Sequence, residues 1–412
     1  MTETDPQDAH AAAEAKAAQR PRRRYQGPAF FSHGFRPFFL FAGVWSALAV
    51  LIWVLAFAGA FALPSAFDPL TWHVHEMVFG YAAAAIAGFL FTAVPNWTGR
   101  LPVHGLPLAA FAGLWVAGRI VVLFGAPVGV WPTAIIDCSF LIVLALAIGR
   151  EIVIGKNRRN LVVAVVVALL ALANILTHLE PLGLAVTGDL GLRLGIGVVI
   201  VLIALIGGRV TLSFTSSWLR RRGETPPNVA MAHIDRVGLV AVVAAMAAWT
   251  FVPEARGAGS LLIFAGGLTL YRLVRWRPDR TRGEPLVWVL HLGYAWLGVG
   301  LVLLGLSIVT DVLLPTAALH ALTAGAIGTM PLAVMSRATL GHTGRALTAD
   351  RVTTLLYLCV SAAAILRVLS PVLGGMEVAA LHVSATLWVI AFGGFAVAYA
   401  PMFFAPRADT AS

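Results

Sequence analysis

The chain has 412 residues, 59% of them hydrophobic and only 12% charged, against about 25% charged in an average soluble domain. With a mean hydropathy of +0.86, this composition excludes a water-soluble globular fold. The formal net charge is +10, but the basic residues lie in short segments beside apolar runs. That placement argues against nucleic acid as a partner and for a charge-sorted membrane topology.

Residues 1–27 form a polar, Ala- and Arg-rich tail with Arg20, Arg22, Arg23 and Arg24, expected to be disordered. No signal-peptide core precedes the first apolar run. Runs of the about 20 residues that a membrane-spanning helix needs fall near 38–60, 71–95, 107–126, 131–149, 160–179, 192–213, 231–252, 258–274, 285–307, 315–336, 352–373 and 380–404. The fold expected is an all-α polytopic membrane bundle of about twelve transmembrane helices. One transmembrane domain is expected over 28–405, with a short cytoplasmic tail at 406–412. Alternate loops carry Arg100; Arg150, Lys156, Arg158 and Arg159; Arg220, Arg221 and Arg222; Arg272, Arg275, Arg277, Arg280 and Arg282; then Arg345 and Arg351. The other loops carry Asp68, Glu180, Asp189, Glu254, Asp311 and Glu377, with Arg256 as the basic exception. By the positive-inside rule both termini are cytoplasmic. Cys138 and Cys359 fall inside apolar runs and read as small buried hydrophobes, not as a disulfide or a thiolate metal site.

The second run opens on Trp72-His73-Val74-His75-Glu76-Met77 and ends in Thr98-Gly99-Arg100; the tenth carries His320 and ends in Thr343-Gly344-Arg345. The differences 320 − 75, 343 − 98 and 345 − 100 are each 245, and Gly80 and Gly325 obey the same shift. Arg119 on the third run and Arg367 on the eleventh are 248 apart, so internal similarity joins helices 2–3 to helices 10–11. With the N-terminus inside, His73, His75, Glu76, Asp137, His178, His320 and His382 fall in the outer half of the membrane, and His33, His104, His291 and His342 at the inner side.

A lone histidine at a span end is usually an interfacial residue. Five at one depth, two of them in an HxH pair, point instead to ligands, because intramembrane ionisable groups are costly and mark function. Imidazoles held in a dry interior bind heme iron and copper. The candidate ligands are His73, His75, His320, His178 and His382, with His33 from Ser32-His33-Gly34-Phe35-Arg36 at the inner side. Residues two apart on an α-helix are separated by about 200°, so His73 and His75 point to opposite sides. His75 is expected to pair with His320 across one centre, while His73, with Glu76 on its own face, lines another. The bland alternative is that one of the two histidines bonds a lipid headgroup.

Arg119 and Arg367 each need an anion at that depth; heme propionates are the candidate partners, with Asp137, Glu76 or lipid phosphate as alternatives. Glu76 and Asp137 are the candidate catalytic groups, for proton delivery. Pro95 to Arg100, Leu340 to Arg345 and Gly207-Gly208-Arg209 read as helix exits, glycine supplying the left-handed terminator.

The segments FRPFFLFAG at 35–43, WHVHEMVFGY at 72–81, AGFLFTAVPNWTG at 87–99, AGR at 117–119, GGRVTLSFT at 207–215 and HALTAGAIGTMPLAVMSRATLGHTGR at 320–345 closely resemble the NnrS family of bacterial membrane proteins. Leu212 departs from that pattern, standing where the family has proline. The resemblance implies a twelve-helix, heme-containing protein of the bacterial inner membrane, with copper also associated with the family. It implies a role in the response to nitric oxide and nitrosative stress. The cofactors expected are one or two b-type hemes, with copper as a further candidate. The partners expected are nitric oxide, membrane lipids and an electron donor, either quinol or a separate redox protein, since the chain has no CxxCH and no iron–sulfur cysteines. The pattern is similar in part to heme–copper oxidases, with ligands on spans two and ten, but lacks their adjacent His-His ligands. Reduction of NO to N2O at an intramembrane metal site is the leading reading. A non-catalytic heme NO sensor or protector, and a transporter of heme, copper or a nitrogen oxide, are the alternatives.

Overall fold

The computed structural model describes residues 25–227, 233–310 and 312–408. The expected N-terminal tail therefore lies almost wholly outside the described residues, as do 409–412 of the C-terminal one. Among the described residues the protein is all-helical, and twelve helices are long and apolar enough to cross a membrane. They are α1 (Phe35–Phe57), α2 (Pro69–Thr98), α3 (Leu106–Leu123), α4 (Val130–Ile154), α5 (Arg158–Leu179), α6 (Leu190–Arg221), α7 (His233–Phe251), α8 (Arg256–Arg275), α9 (Pro285–Val309), α10 (Pro315–His342), α11 (Arg351–Val372) and α12 (Gly374–Phe404). This is a multi-pass membrane protein. Its outer surface shows lipid-compatible side chains such as Ile135, Leu146, Val240 and Val397, which cost nothing in hydrocarbon.

The helix ends follow local chemistry. Asp68 caps α2 by accepting from the amides of Leu70 and Thr71, with Pro69 in the first turn, where its missing N–H is not needed. Glu284 and Asp350 cap α9 and α11 in the same way. Gly99 (φ +68°) and Gly344 (φ +75°) stop α2 and α10 as their motifs predict. The exit expected at Gly207-Gly208-Arg209 is not formed: Gly208 has φ −61°, and α6 runs on through Leu212 to Arg221. Without a proline at 212 nothing interrupts its hydrogen-bond ladder.

Three helices form the interior. The most apolar stretches of α2, α6 and α10 are 78%, 67% and 67% buried, against 50% or less for the other nine. These three stand four helices apart in the chain, and each contains a π-helical segment: Glu76–Ala82, Ile203–Gly207 and Ala321–Ile327. The first and third obey the sequence shift, since 321 − 76 and 327 − 82 are both 245. A π turn is a rare insertion found mostly at functional sites. An apolar cavity of about 90 Å³ lies beside the first two of these segments, lined by Phe39, Ala82, Ile203, Gly207, Met330 and Val334 among others. Around the three inner helices, α12 packs on both α11 and α1 and closes the outer layer. Arg36 of α1 donates to the carbonyls of Met402, Phe403 and Ala405 at the end of α12. The described chain thus begins and finishes at one end of the bundle, the end of the arginine-rich loops, here called the basic end. The Asp68 loop lies at the opposite, acidic end.

Helices α8 and α9 meet backbone to backbone. A Cβ on Gly266 would fall 2.7 Å from the Gly298 carbonyl oxygen, and one on Gly305 would fall 2.5 Å from that of Gly259. Glycines seven apart on both helices make the seam, which is how membrane helices gain dispersion contact where no hydrophobic effect drives them together. Gly305→Leu should therefore destabilise the detergent-solubilised protein by about 1–3 kcal/mol. Gly267→Leu, at a position with open space, should leave the thermal unfolding midpoint unchanged. Equal midpoints for the two variants would show that the seam is not tight.

Candidate metal centre

The acidic ends of α2, α3, α4 and α5 enclose a buried polar knot. His75 and Glu76 close the first α-helical stretch of α2 and open its π segment. His75 Nδ1 lies 3.0 Å from Glu76 Oε1, and its Nε2 lies 3.1 Å from Asp137 Oδ2 and 2.9 Å from Asn174 Oδ1. His178 Nε2 is 3.0 Å from the same Asp137 oxygen, to which the Asn174 amide donates at 2.8 Å. Arg119 donates to Glu76 Oε1 at 2.6 Å and to Asp137 Oδ1. The Trp45 indole of α1 donates to Glu76 Oε2 at 2.5 Å. Phe67 sits 5.0 Å from both imidazoles, ring centre to ring centre, and Phe79 5.1 Å from that of His75. Water is thereby kept from His75, Glu76 and Asp137, which are 0–1% exposed.

This geometry has a definite chemistry. One ligand atom each from His75, Asp137 and His178 lie within 4.8 Å of one another, the one such group of three among the described residues. A carboxylate on the far nitrogen of a ligating histidine fixes its tautomer and orientation, and Glu76 stands in that place. With Nδ1–H given to Glu76, the His75 Nε2 lone pair would face a carboxylate oxygen. That contact is repulsive unless a proton or a metal ion lies between them. The charges are compatible with a cation: Arg119 with Glu76 and Asp137 sums to +1 − 1 − 1 = −1, which a proton on His75 or a monovalent ion cancels and a divalent ion turns to +1. His–carboxylate–His donor sets suit divalent transition metals.

The other face of α2 carries a second constellation. His73 stacks on Trp53 of α1 at 4.8 Å and 17°, and its buried Nδ1 has no partner. His320 gives Nδ1–H to the Thr316 carbonyl at 2.7 Å, which leaves Nε2 as the lone-pair nitrogen. His73, His320 and Arg367 are close enough for their charges to act on one another. The internal repeat explains what is missing here. Gly80 lets Trp45 and Arg119 approach, with a Cβ there only 2.7 Å and 2.9 Å from their nitrogens, and Gly325 lets Trp296 of α9 approach in the same way, at 2.6 Å. Trp45 finds Glu76, but the position 245 further on is Ala321, and the Trp296 N–H is buried without a partner. Among the described residues Arg367 donates to the Ser370 hydroxyl at 3.4 Å, with Glu377 near enough to act on its charge, where Arg119 has two carboxylates in contact.

Several expectations change. The structure does not place His320 among the partners of His75: His75 turns toward Asp137 of α4 and Asn174 of α5, while the charged neighbours of His320 are Arg367 and His73. The rotation argument puts His73 and His75 on different faces, and the contacts give His75 the partners Glu76, Asp137 and Asn174. Glu76 belongs with His75, not with His73. Arg119 is neutralised by Glu76 and Asp137, the protein's own acids, in place of a propionate. Their oxygens are occupied by Arg119, His75, His178, Asn174 and Trp45, so both acids serve as charged acceptors more directly than as proton carriers. His382 lies exposed on α12 and enters neither group. His33 is at the basic end, with Ser32 as its neighbour. Asn174 is a site residue absent from the sequence reading; an Asn four residues before His178 in an otherwise apolar helix was its available signal.

The profile of the NnrS protein family matches residues 29–407. The chain belongs to the NnrS family. No curated protein matches it. Membership makes it a nitric-oxide-related membrane protein, and the matched span includes every residue of both constellations.

Removing the cation of the knot should be costly. Arg119→Gln leaves two buried carboxylates short of charge and should destabilise by about 3–5 kcal/mol, the range for breaking a buried ion pair. Adding Asp137→Asn should restore a large part of that loss in thermal unfolding. An Arg119→Gln protein as stable as the wild type would show that the knot is not held by charge.

Proposed function

We propose that this NnrS-family protein is a metalloprotein of the bacterial inner membrane that reduces NO to N2O at two adjacent centres sharing α2. The observation that carries this reading is the split of the HxH pair. His75 belongs to a His–Asp–His group with one negative charge to spare, and His73 lies on the side of His320, Arg367 and orphaned donors. The first set fits a single metal ion, with copper favoured by the family resemblance. The second fits a heme: two imidazoles on different helices for the iron, and an arginine that forms no ion pair among the described residues for a propionate. When bound, these groups supply the NO binding and electron transfer that side chains lack.

The residues have roles around them. Glu76 orients His75, Arg119 balances the acids, and Phe67 and Phe79 exclude water. The cavity beside the π segments is apolar and suits a small neutral gas arriving through the lipid, and Phe79 stands one turn from its wall at Ala82. Coupling two NO to N2O and water consumes two electrons and two protons, the electrons coming from quinol or a redox protein. By the positive-inside rule the basic end is cytoplasmic and the site lies nearer the outer face.

The test is cofactor analysis of purified variants. His73→Ala and His320→Ala should lose heme and keep the metal ion; His75→Ala and His178→Ala should lose the ion and keep the heme spectrum. Anaerobic NO consumption with a reductant should yield stoichiometric N2O, and each of the four variants should slow it by at least about a hundredfold, the scale for loss of a metal-site group. Saturable NO binding without N2O would make the protein a sensor. A preparation free of heme and metal would overturn both readings and leave the knot as a closed ion network around a protonated His75.

A further inference from the structure

Apart from the site just described, basic groups from four segments meet at the basic end. Ala408 N–H donates to the Thr343 carbonyl at 2.9 Å, which sets Arg407 beside His342. Gly105 N–H donates to the Phe31 carbonyl at 2.8 Å, which brings His104 toward His33. The Phe35 ring lies 6.1 Å from that of His33 and 5.5 Å from that of His342. Arg36 follows Phe35, and Arg345 is near enough to act on its charge. The charged groups acting on His33 are all basic: Arg36, His342, His104 and Arg407. Like charges brought together by four separate segments repel, and such a cluster persists where an anion offsets it.

Two buried nitrogens here have no partner, Arg36 Nε and Arg345 Nη1. Arg36 spends its Nη1 on the α12 carbonyls, so its guanidinium is held in place with Nε left over. Metal binding does not account for the three histidines, because their nitrogens do not converge to ligand distance. His33, His342 and Arg407 are exposed, so the cluster opens outward.

We infer that His33, Arg36, His104, His342, Arg345 and Arg407 form a binding site for a phosphoryl group at the basic end of the bundle. A tetrahedral, multiply charged oxyanion has acceptor oxygens on several sides and answers donors arriving from α1, the α2–α3 loop, α10 and the end of α12; guanidinium forks fit phosphate oxygens especially well. The Gly99 and Gly344 helix ends place the cluster at the level where a bilayer's phosphates lie, so the group can come from an anionic lipid or from soluble phosphate.

The two sources separate in one experiment on the full chain. Thermal unfolding is measured in neutral detergent with inorganic phosphate or with chloride at equal ionic strength. It is measured again in nanodiscs of phosphatidylcholine with and without phosphatidylglycerol. The variants are His342→Gln/Arg345→Gln in the cluster and, as an equal change of arginine charge elsewhere, Arg158→Gln, an exposed residue of the α4–α5 region. Stabilisation by phosphate over chloride, with apparent affinity at least about tenfold weaker in the cluster variant and unchanged in Arg158→Gln, establishes a soluble-phosphate site. The same pattern with phosphatidylglycerol alone establishes a lipid site. No stabilisation by either probe, or equal loss in Arg158→Gln, overturns the inference. Should the double variant not fold, the exposed His33→Gln replaces it and is read in the same way. None of these readouts depends on heme, metal or NO turnover.

Discussion

Arg119 is the constraint around which the acidic end of this bundle is arranged. A guanidinium that is 3% exposed inside an apolar fold needs counter-charge, and it finds two carboxylates on two other helices. Glu76 and Asp137 then carry one negative charge more than Arg119 cancels, and that surplus is placed on the two nitrogens of His75. The same Asp137 oxygen gathers His178 and Asn174. Four helices are thereby fixed relative to one another by groups that would each be expensive to bury alone, and a cation-competent gap is the by-product.

The repeat shows the same scaffold put to a different use. Both halves carry a histidine before a π segment, a glycine one turn on and a tryptophan against that glycine. In the first half, acids complete the set; in the second, Ala321 stands where Glu76 would be, and the tryptophan N–H is left without an acceptor. A polar group buried without a partner costs about 1–3 kcal/mol. Losing the acid while keeping the donors turns a closed ion network into a receptive one. Two of the π segments have their own consequence: Ala82 of the first and Ile203, Ile206 and Gly207 of the second line the apolar cavity.

Much of this was legible along the chain. Composition gave the membrane class, apolar run length gave the helices, and the 245-residue shift marked the paired histidines, glycines and arginines before any contact was known. The exits at Gly99 and Gly344 were readable because they depend on neighbours a few residues away. Gly207-Gly208-Arg209 misread for the same reason: glycine permits a left-handed exit, but packing of α6 between α2 and α10 keeps the helix going.

What the sequence by itself determined is therefore periodic and local: twelve spans, the charge sorting of their loops, the depth of each ionisable residue and the opposed directions of His73 and His75. Depth is a one-dimensional quantity, and it cannot say which helix stands beside which. Only the tertiary structure decided that α4 and α5, not α10, face His75, that Arg119 has acids for partners, and that His320 stands with His73. The physical reason is that the partners of a buried charge are chosen by lateral packing of helices far apart in the chain, and lateral packing leaves no period in the sequence.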